Sequence, residues 1–113
     1  MSAFNLNKIA LPVVISGAEG AVSAYVPVPE EFDGVVEEIR LVPDAAVDAN
    51  TTITLSDGEG TIGTIVVPSG ATVGAAVSQK FSGDIKANDV LKLTSDGAAT
   101  GAFNLHGIVV IRR

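Results

Sequence analysis

The C-terminal stretch, residues 89–113, constrains the fold more than any other part of the chain. Leu91 and Leu93 alternate there with polar neighbours, the period-two pattern of a strand that buries one face. After an Asp-Gly turn, the run Ile108–Ile111 is entirely aliphatic and so has no polar face. Such a run must be covered on both sides, by the core on one side and by another surface on the other. The stretch therefore predicts a closing β-hairpin whose second strand is covered on both faces.

The same alternation recurs along the rest of the chain, and no window of about ten residues has a convincing helical period. The composition agrees, since 12 glycines and 47% hydrophobic but only 4% aromatic residues are typical of strands and turns. Before the closing hairpin, the predicted strands are Lys8–Ser16, Gly20–Val28, Gly34–Val42, Thr51–Ser56, Gly60–Val67 and Ala76–Phe81. We therefore expect an all-β fold: a single-domain antiparallel β-sandwich, jelly-roll-like, of about eight strands over residues 8–113, with residues 1–7 as an N-terminal arm.

Turn residues and prolines predict how these strands are joined. Ser56-Asp57-Gly58 and Ser95-Asp96-Gly97 each predict a hairpin turn, because Asp caps its own backbone and Gly accepts a positive φ. Ser82-Gly83-Asp84 predicts a further turn directly after Phe81. Pro12 cannot donate a hydrogen bond to a neighbouring strand, which places the first strand at a sheet edge or a bulge.

Alternation within the strands also assigns the side chains that face outward. It places Ser23 and Tyr25 on the outside of the second strand, and Thr52 and Thr54 on the outside of the fourth. In the third strand it places Glu37 and Glu38 on opposite faces of the sheet.

Charge and composition exclude several classes of partner. The net charge is −6, from 13 acidic and 7 basic residues, and the only adjacent basic pair is Arg112-Arg113. A phosphate backbone requires clustered Lys and Arg, so no nucleic-acid partner is predicted. No apolar stretch approaches the ~20 residues of a membrane helix, and no membrane partner is predicted. The N-terminus lacks the features of a signal peptide, so we expect a soluble protein that is not exported.

Few residues offer catalytic or metal-binding chemistry. Cysteine is absent and His106 is the single histidine, so neither a thiolate nucleophile nor a Cys-based zinc site is available. Seven acids form a cluster between residues 30 and 48, namely Glu30, Glu31, Asp33, Glu37, Glu38, Asp44 and Asp48. The cluster could supply oxygens to calcium, but it lacks the spacing of a compact calcium loop, and a solvated acidic rim is the favoured interpretation. We predict no cofactor and no enzymatic activity.

One stretch suggests a family. The segment Gly83–Ala102, GDIKANDVLKLTSDGAATGA, lies in a short, cysteine-free, aromatic-poor β chain that ends in an apolar strand closed by Arg112-Arg113. In this combination the chain resembles the small decoration (cement) proteins and minor virion structural proteins of tailed bacteriophages. The resemblance implies a protein that binds the outer capsid surface and stabilises the head as an oligomer. It also implies a homotrimer, with the major capsid protein as partner, made in the bacterial host cytoplasm and located on the virion.

On that interpretation, particular residues form the contacts. His106, Ile108 and Val110 share one side of the last strand and are the candidate oligomer interface. The candidate capsid contacts are Phe4, Leu6 and Lys8, because exposed apolar residues in an arm need a surface to cover them. The alternative is a phage head-fibre or tail receptor-binding or carbohydrate-binding module, although the shortage of Trp and Tyr disfavours sugar stacking.

Overall fold

A computed structural model of the chain describes residues 8–29, 33–86 and 89–113. Within these residues the chain forms eight strands. Their bounds are β1 Lys8–Ile15, β2 Ser23–Pro27, β3 Gly34–Pro43, β4 Thr51–Ser56, β5 Thr61–Val67, β6 Val77–Ile85, β7 Val90–Ser95 and β8 Leu105–Arg112. None of the described residues lies in a helix long and apolar enough to cross a bilayer.

The strands form two four-stranded antiparallel sheets. Sheet A has the order β1-β8-β3-β6 and sheet B has the order β2-β7-β4-β5. Successive strands repeatedly change sheet, and the two sheets stack with their inner faces together, which is the arrangement of a jelly roll. The predicted all-β, eight-stranded antiparallel sandwich is confirmed. β1 is an edge strand, as Pro12 predicted.

Alternating aliphatic side chains from both sheets form the core. In β4, Ile53 and Leu55 are fully buried, whereas Thr52 and Thr54 between them point outward. The inner face of β8 contributes Val109 and Ile111, both fully buried. Two-residue periodicity is thus sufficient to place the core side of most strands.

The predicted hairpin between the last two strands is wrong. β7 pairs with β2 and β4 in sheet B, whereas β8 lies between β1 and β3 in sheet A. The Oγ of Ser95, at the end of β7, accepts a hydrogen bond from Val22 N. Gly97 has the expected positive φ of 73°, but the chain then crosses to the other sheet, about 10 Å away. The similar Ser56-Asp57-Gly58 does form a hairpin turn, between β4 and β5.

β6 also differs from its prediction. The expected turn at Ser82-Gly83-Asp84 is absent, because β6 continues through these residues to the buried Ile85. Gly83 lacks a side chain, and the side chain of Ile62 from β5 fills the space that a Cβ would occupy. This contact joins the edge strands of the two sheets, so the glycine serves close packing rather than a turn.

A β-bulge in β3 changes the side to which its acids point. The register shifts between Val36 and Glu38 against both neighbouring strands, which leaves Glu37 as the extra residue. Val36 is fully buried, and Glu37 joins the outward side, where its Oε2 lies 2.9 Å from Lys8 Nζ. The prediction that Glu37 and Glu38 occupy opposite faces is therefore wrong.

Candidate functional site

The outward side of sheet B, which we term the hydroxyl face, carries mainly Ser and Thr side chains. The face includes one tyrosine, Tyr25 on β2, and one lysine, Lys92 on β7. Its hydroxyl-bearing serines and threonines are Ser23, Thr52, Thr54, Ser56, Thr61, Thr64 and Thr94. Strand pairing arranges them in rows that cross all four strands.

The first row begins at Tyr25 and crosses the sheet. Tyr25 is paired with Lys92, Lys92 with Ser56, and Ser56 with Thr61. Because neighbouring strands lie about 4.8 Å apart, the row is about 14 Å long. It therefore presents an aromatic ring, an ammonium group and two hydroxyl groups along one line.

The second row lies one step along the strands and is made only of hydroxyl side chains. Ser23 is paired with Thr94, Thr94 with Thr54, and Thr54 with Thr64. Ser23 Oγ and Thr94 Oγ1 are 3.0 Å apart and share a hydrogen bond. Each hydroxyl can donate one hydrogen bond and accept two, so the row can exchange hydrogen bonds with a polyhydroxylated ligand.

Tyr25 is the exposed aromatic residue of the described chain. Its relative exposure is 64%, whereas Phe103 is 2% exposed and Phe81 is half-buried beside Gly63. An exposed tyrosine ring offers a flat apolar surface and a hydroxyl at its tip. Such a ring is suited to stack against a flat ligand that has both C–H faces and polar edges.

An open groove of about 410 Å³ lies at the far end of the first row. Its lining residues are Asp57, Glu59, Gly60, Thr61, Ile62, Gly83 and Asp84. Thr61 belongs to both the row and the groove, so the two surfaces are continuous. Asp57 Oδ1 accepts hydrogen bonds from the backbone N–H groups of Glu59 and Gly60, which fixes the shape of the β4–β5 turn.

The residues predicted as the oligomer interface lie on the opposite side of the molecule. His106, Ile108 and Val110 are on the outward side of sheet A, remote from the hydroxyl face. His106 Nε2 lies 3.0 Å from Asp44 Oδ2. Of the predicted capsid contacts, Lys8 begins β1, and Phe4 and Leu6 lie outside the described residues.

The predicted acidic cluster separates into groups that hold neighbouring segments. Asp44 accepts hydrogen bonds from the backbone and side-chain amides of Asn104 and bonds to His106, and these contacts lower its pKa to about 2. Asp48 accepts hydrogen bonds from the hydroxyl and backbone N–H of Thr100 and from the N–H of Gly101, which also lower its pKa. Through these hydrogen bonds, the two carboxylates hold the β3–β4 connection against the β7–β8 connection.

The described part of the acidic cluster does not form a metal site. Glu30 and Glu31 lie outside the described residues. Among the residues that the structure describes, no group of three or more His, Cys, Asp or Glu side chains is placed to hold a metal ion. Glu37 instead contacts Lys8 and Arg112, at 2.9 Å and 3.8 Å, and its pKa is lowered chiefly by the hydrogen bond from Lys8.

Comparison with known proteins gives matches in fold only. No protein-family model and no curated protein sequence matches this chain. CsCBM6-3 from Clostridium stercorarium, solved in complex with cellobiose, matches with a TM-score of 0.60 and 20% identity, over 100% of this chain and 88% of that one. The CBM36-1 domain of a multidomain xylanase from the hindgut metagenome of Trinervitermes trinervoides matches with a TM-score of 0.62 and 14% identity, over 95% and 98%. The C-terminal CBM6 of LamC, a marine laminarinase from Zobellia galactanivorans, gives a TM-score of 0.57 and 16% identity, over 94% and 100%.

These matches overturn the interpretation of the chain as a capsid decoration protein. All three solved structures are carbohydrate-binding modules, and each shares the sandwich over nearly the whole chain. Small size, scarce aromatics and an apolar last strand are compatible with many kinds of β-sandwich, so they do not separate one class of sandwich protein from another. Of the alternative, a phage head-fibre or tail receptor-binding or carbohydrate-binding module, only the carbohydrate-binding part agrees with these matches in fold.

Sequence analysis placed the outward residues of β2 and β4 correctly but did not assemble them into a site. It assigned Tyr25 and Thr54 to the outside of separate strands, which is confirmed. Only the pairing of β7 with both β2 and β4 brings them onto one face. The available signal was that outward positions carry mostly Ser and Thr in sheet B strands, with Val66 and Val90 as exposed exceptions, but mostly aliphatic residues in β1 and β8.

Proposed function

We propose that this chain is a carbohydrate-binding module without catalytic activity, and that its ligand lies on the hydroxyl face against Tyr25. The observation that carries the proposal is the 64% exposed ring of Tyr25 beside two rows of hydroxyl side chains. A sugar ring has C–H groups that stack on an aromatic face and hydroxyls that exchange hydrogen bonds with Ser and Thr. The fold shared with carbohydrate-binding modules supports the same conclusion.

The charges of the site favour a neutral glycan. Lys92 is the charged residue within the two rows, and the adjoining groove carries the carboxylates of Asp57, Glu59 and Asp84. With a net charge of −6, the chain repels sulfated or uronate-rich polymers. Cellobiose is bound by one of the structural neighbours, and a neutral β-linked glucose oligosaccharide would present both C–H faces and hydroxyl edges to the rows.

The length of the first row indicates an oligosaccharide rather than a single sugar. The row extends about 14 Å from Tyr25 to Thr61 and continues into the groove. A flat, open surface of this kind excludes little water, so each hydrogen bond contributes little by itself. We therefore expect weak binding to short sugars and stronger retention on long polymers, where many sites are available in succession.

Affinity gel electrophoresis with soluble β-glucan, xylan, laminarin and polygalacturonate tests the proposal. We expect retardation by a neutral glycan, none by polygalacturonate, and no release of reducing sugar from any of them. Tyr25→Ala should weaken binding by about tenfold or more, because it removes the stacking surface. Val73→Ala is the control, since Val73 is 51% exposed in the β5–β6 connection and belongs neither to the two rows nor to the groove. Unretarded migration in all neutral glycans, or equal retardation of the Tyr25→Ala variant, would show that the proposal is wrong.

A further inference from the structure

The outward side of β1 and β8 forms an aliphatic strip at one edge of sheet A. Its residues are Ala10, Pro12, Val14, Ile108 and Val110. They lie side by side, because Ala10 is paired with Val110 and Pro12 with Ile108. Val14 is 50% exposed and is paired with His106. No polar side chain interrupts the strip between these residues on the two strands.

We expect an outward aliphatic strip of this kind to be covered by a partner. The solvated face of an antiparallel sheet is normally polar, as the hydroxyl face is in this molecule. Contiguous exposed apolar side chains bounded by charges are typical of protein–protein contact sites. Here the boundary on β3 is charged, with Glu38 and Arg40 paired to Val110 and Ile108.

The two ends of the strip carry opposite charge. Lys8 and Arg112 are paired across the strands at one end, where Glu37 contacts both of them. The other end holds Asp44, whose carboxylate contacts His106. The first end therefore has two cationic groups against one carboxylate, and the second end carries the carboxylate of Asp44.

We propose that the aliphatic strip binds the same strip of a second copy of this chain, related by a two-fold axis that lies between the two sheets, parallel to their planes and perpendicular to the strands. The axis passes near the middle of the strip and reverses the strand direction. It therefore places the Lys8 and Arg112 end of one copy over the Asp44 end of the other, at both ends of the interface. The pairing buries the aliphatic side chains and opposes unlike charges, as a self-complementary two-fold interface requires.

The contact is face to face rather than edge to edge. β1 is the free edge of sheet A nearest the strip, but Pro12 lies in its middle and has no N–H to donate. A continuous sheet through two β1 strands would lose a hydrogen bond at that position in each copy. Packing of one sheet against another, at the spacing found within the sandwich itself, requires no such bond.

The size of the face predicts a weak dimer. β1 and β8 have eight residues each, so the strip is about 27 Å long. Two neighbouring strands are about 10 Å wide, which gives the strip a projected area of about 270 Å². A standard interface buries about 800 Å² per partner, so we expect a weak dimer that forms only at high protein concentration.

Dimerisation would have a consequence for ligand binding that rests on the proposed function. The hydroxyl face belongs to sheet B, on the opposite side of each sandwich, and so remains open in the dimer. Two such faces directed away from each other could bind two segments of one polymer or link two polymers, which increases avidity without a new contact.

Sedimentation velocity without any glycan tests the dimer independently of the proposed function. From about 10 µM to about 1 mM, the wild-type chain should change from monomer to dimer. Val14→Asp should remain monomeric throughout, because it places charge in the strip. Val66→Asp is the matched control: Val66 is 46% exposed on an edge strand of the other sheet, and this variant should dimerise like the wild type. A wild-type monomer at every concentration, a trimer, or equal loss in both variants would overturn the proposal.

Cross-linking tests the orientation, and the chain is suited to it because it contains no cysteine. In the proposed pairing, Lys8 of one copy lies near Val14 of the other. A mixture of the Lys8→Cys and Val14→Cys variants, treated with a short bis-maleimide, should therefore give mainly the mixed dimer. Mainly Val14→Cys homodimer would show that the strips run parallel and would contradict the proposed antiparallel arrangement.

Discussion

The two outer faces of the sandwich are built on similar strands but carry different side chains. Outward positions of the hydroxyl face carry threonines such as Thr54, Thr64 and Thr94. Outward positions of the aliphatic strip carry valines, Val14 and Val110. Threonine and valine are both β-branched, have nearly the same shape and favour strands. The fold therefore does not require the difference. We attribute the difference to the contacts proposed above: a ligand that exchanges hydrogen bonds on one side, and an apolar surface of a second copy on the other.

The largest effect is expected from adjacent valines of β8 that face opposite ways. Val109 is fully buried, whereas Val110 belongs to the half-exposed strip. Val109→Lys should lower the free energy of unfolding by about 3 kcal/mol or more, because it buries an unpaired charge. Val110→Lys should change it by less than about 1 kcal/mol, since the ammonium can reach water and Glu38 lies alongside. Urea unfolding measures both, and similar losses would mean that Val110 is not on an outer face.

The next-largest effect is expected at Gly83, a residue of β6 in sheet A that lines the groove. A Cβ at Gly83 would overlap the side chain of Ile62, so Gly83→Ala should lower the free energy of unfolding by about 1–3 kcal/mol and distort the groove. Gly60→Ala is the matched control, because nothing lies within 4 Å of its Cβ position. Thermal unfolding distinguishes the two variants. Equal stability would contradict the close packing between β5 and β6.

A smaller effect should follow from making the hydroxyl face resemble the strip. The double variant Thr54→Val, Thr94→Val removes two adjacent hydroxyls but keeps the shape of both side chains. Glycan binding should weaken by about fivefold or more, since two hydrogen bonds are lost and each contributes about 0.5–1.5 kcal/mol. The free energy of unfolding should be nearly unchanged. Affinity electrophoresis in β-glucan and laminarin measures the first effect, and unchanged retardation would exclude the second row from the site.

The smallest effect is a pH dependence of the free energy of unfolding that is caused by Asp44, at one end of the strip. The pKa of Asp44 is lowered from 3.8 to about 2 by hydrogen bonds from Asn104 and His106. A lowered folded-state pKa stabilises the fold above about pH 4, and that contribution is lost as the pH falls towards 2. Urea unfolding at pH 6 and pH 3 should show a smaller change for Asp44→Asn than for the wild type. An identical pH dependence would mean that Asp44 is not held by these bonds.

The sequence was sufficient for features that depend on neighbouring residues. Alternation located all eight strands and the inward side of most of them, and Pro12 identified an edge strand. Alternation failed at Glu37, because one bulged residue exchanges the inward and outward sides of all residues before it in the strand. The local pattern also failed at Ser82-Gly83-Asp84, where Gly83 allows close packing against Ile62 of another strand and does not form a turn.

Pairing between distant strands could not be predicted. Ser56-Asp57-Gly58 and Ser95-Asp96-Gly97 have the same local chemistry, yet only the first closes a hairpin. After the second, the chain leaves sheet B, and β8 pairs between β1 and β3 in sheet A. The candidate site has the same origin, since Tyr25, Lys92 and Ser56 meet only through long-range register. Local patterns carry no information about that register.

The central claim, that a glycan binds the hydroxyl face, is tested most directly by titrating the ¹⁵N-labelled chain with the soluble β-glucan oligosaccharide cellotriose. Amide chemical shifts should change at Tyr25, Lys92, Ser56 and Thr61 and along the adjoining groove, and should remain constant at Ala10, Val14 and Ile108. Changes confined to the strip, or to the connections around Asp44 and Asp48, would contradict the account.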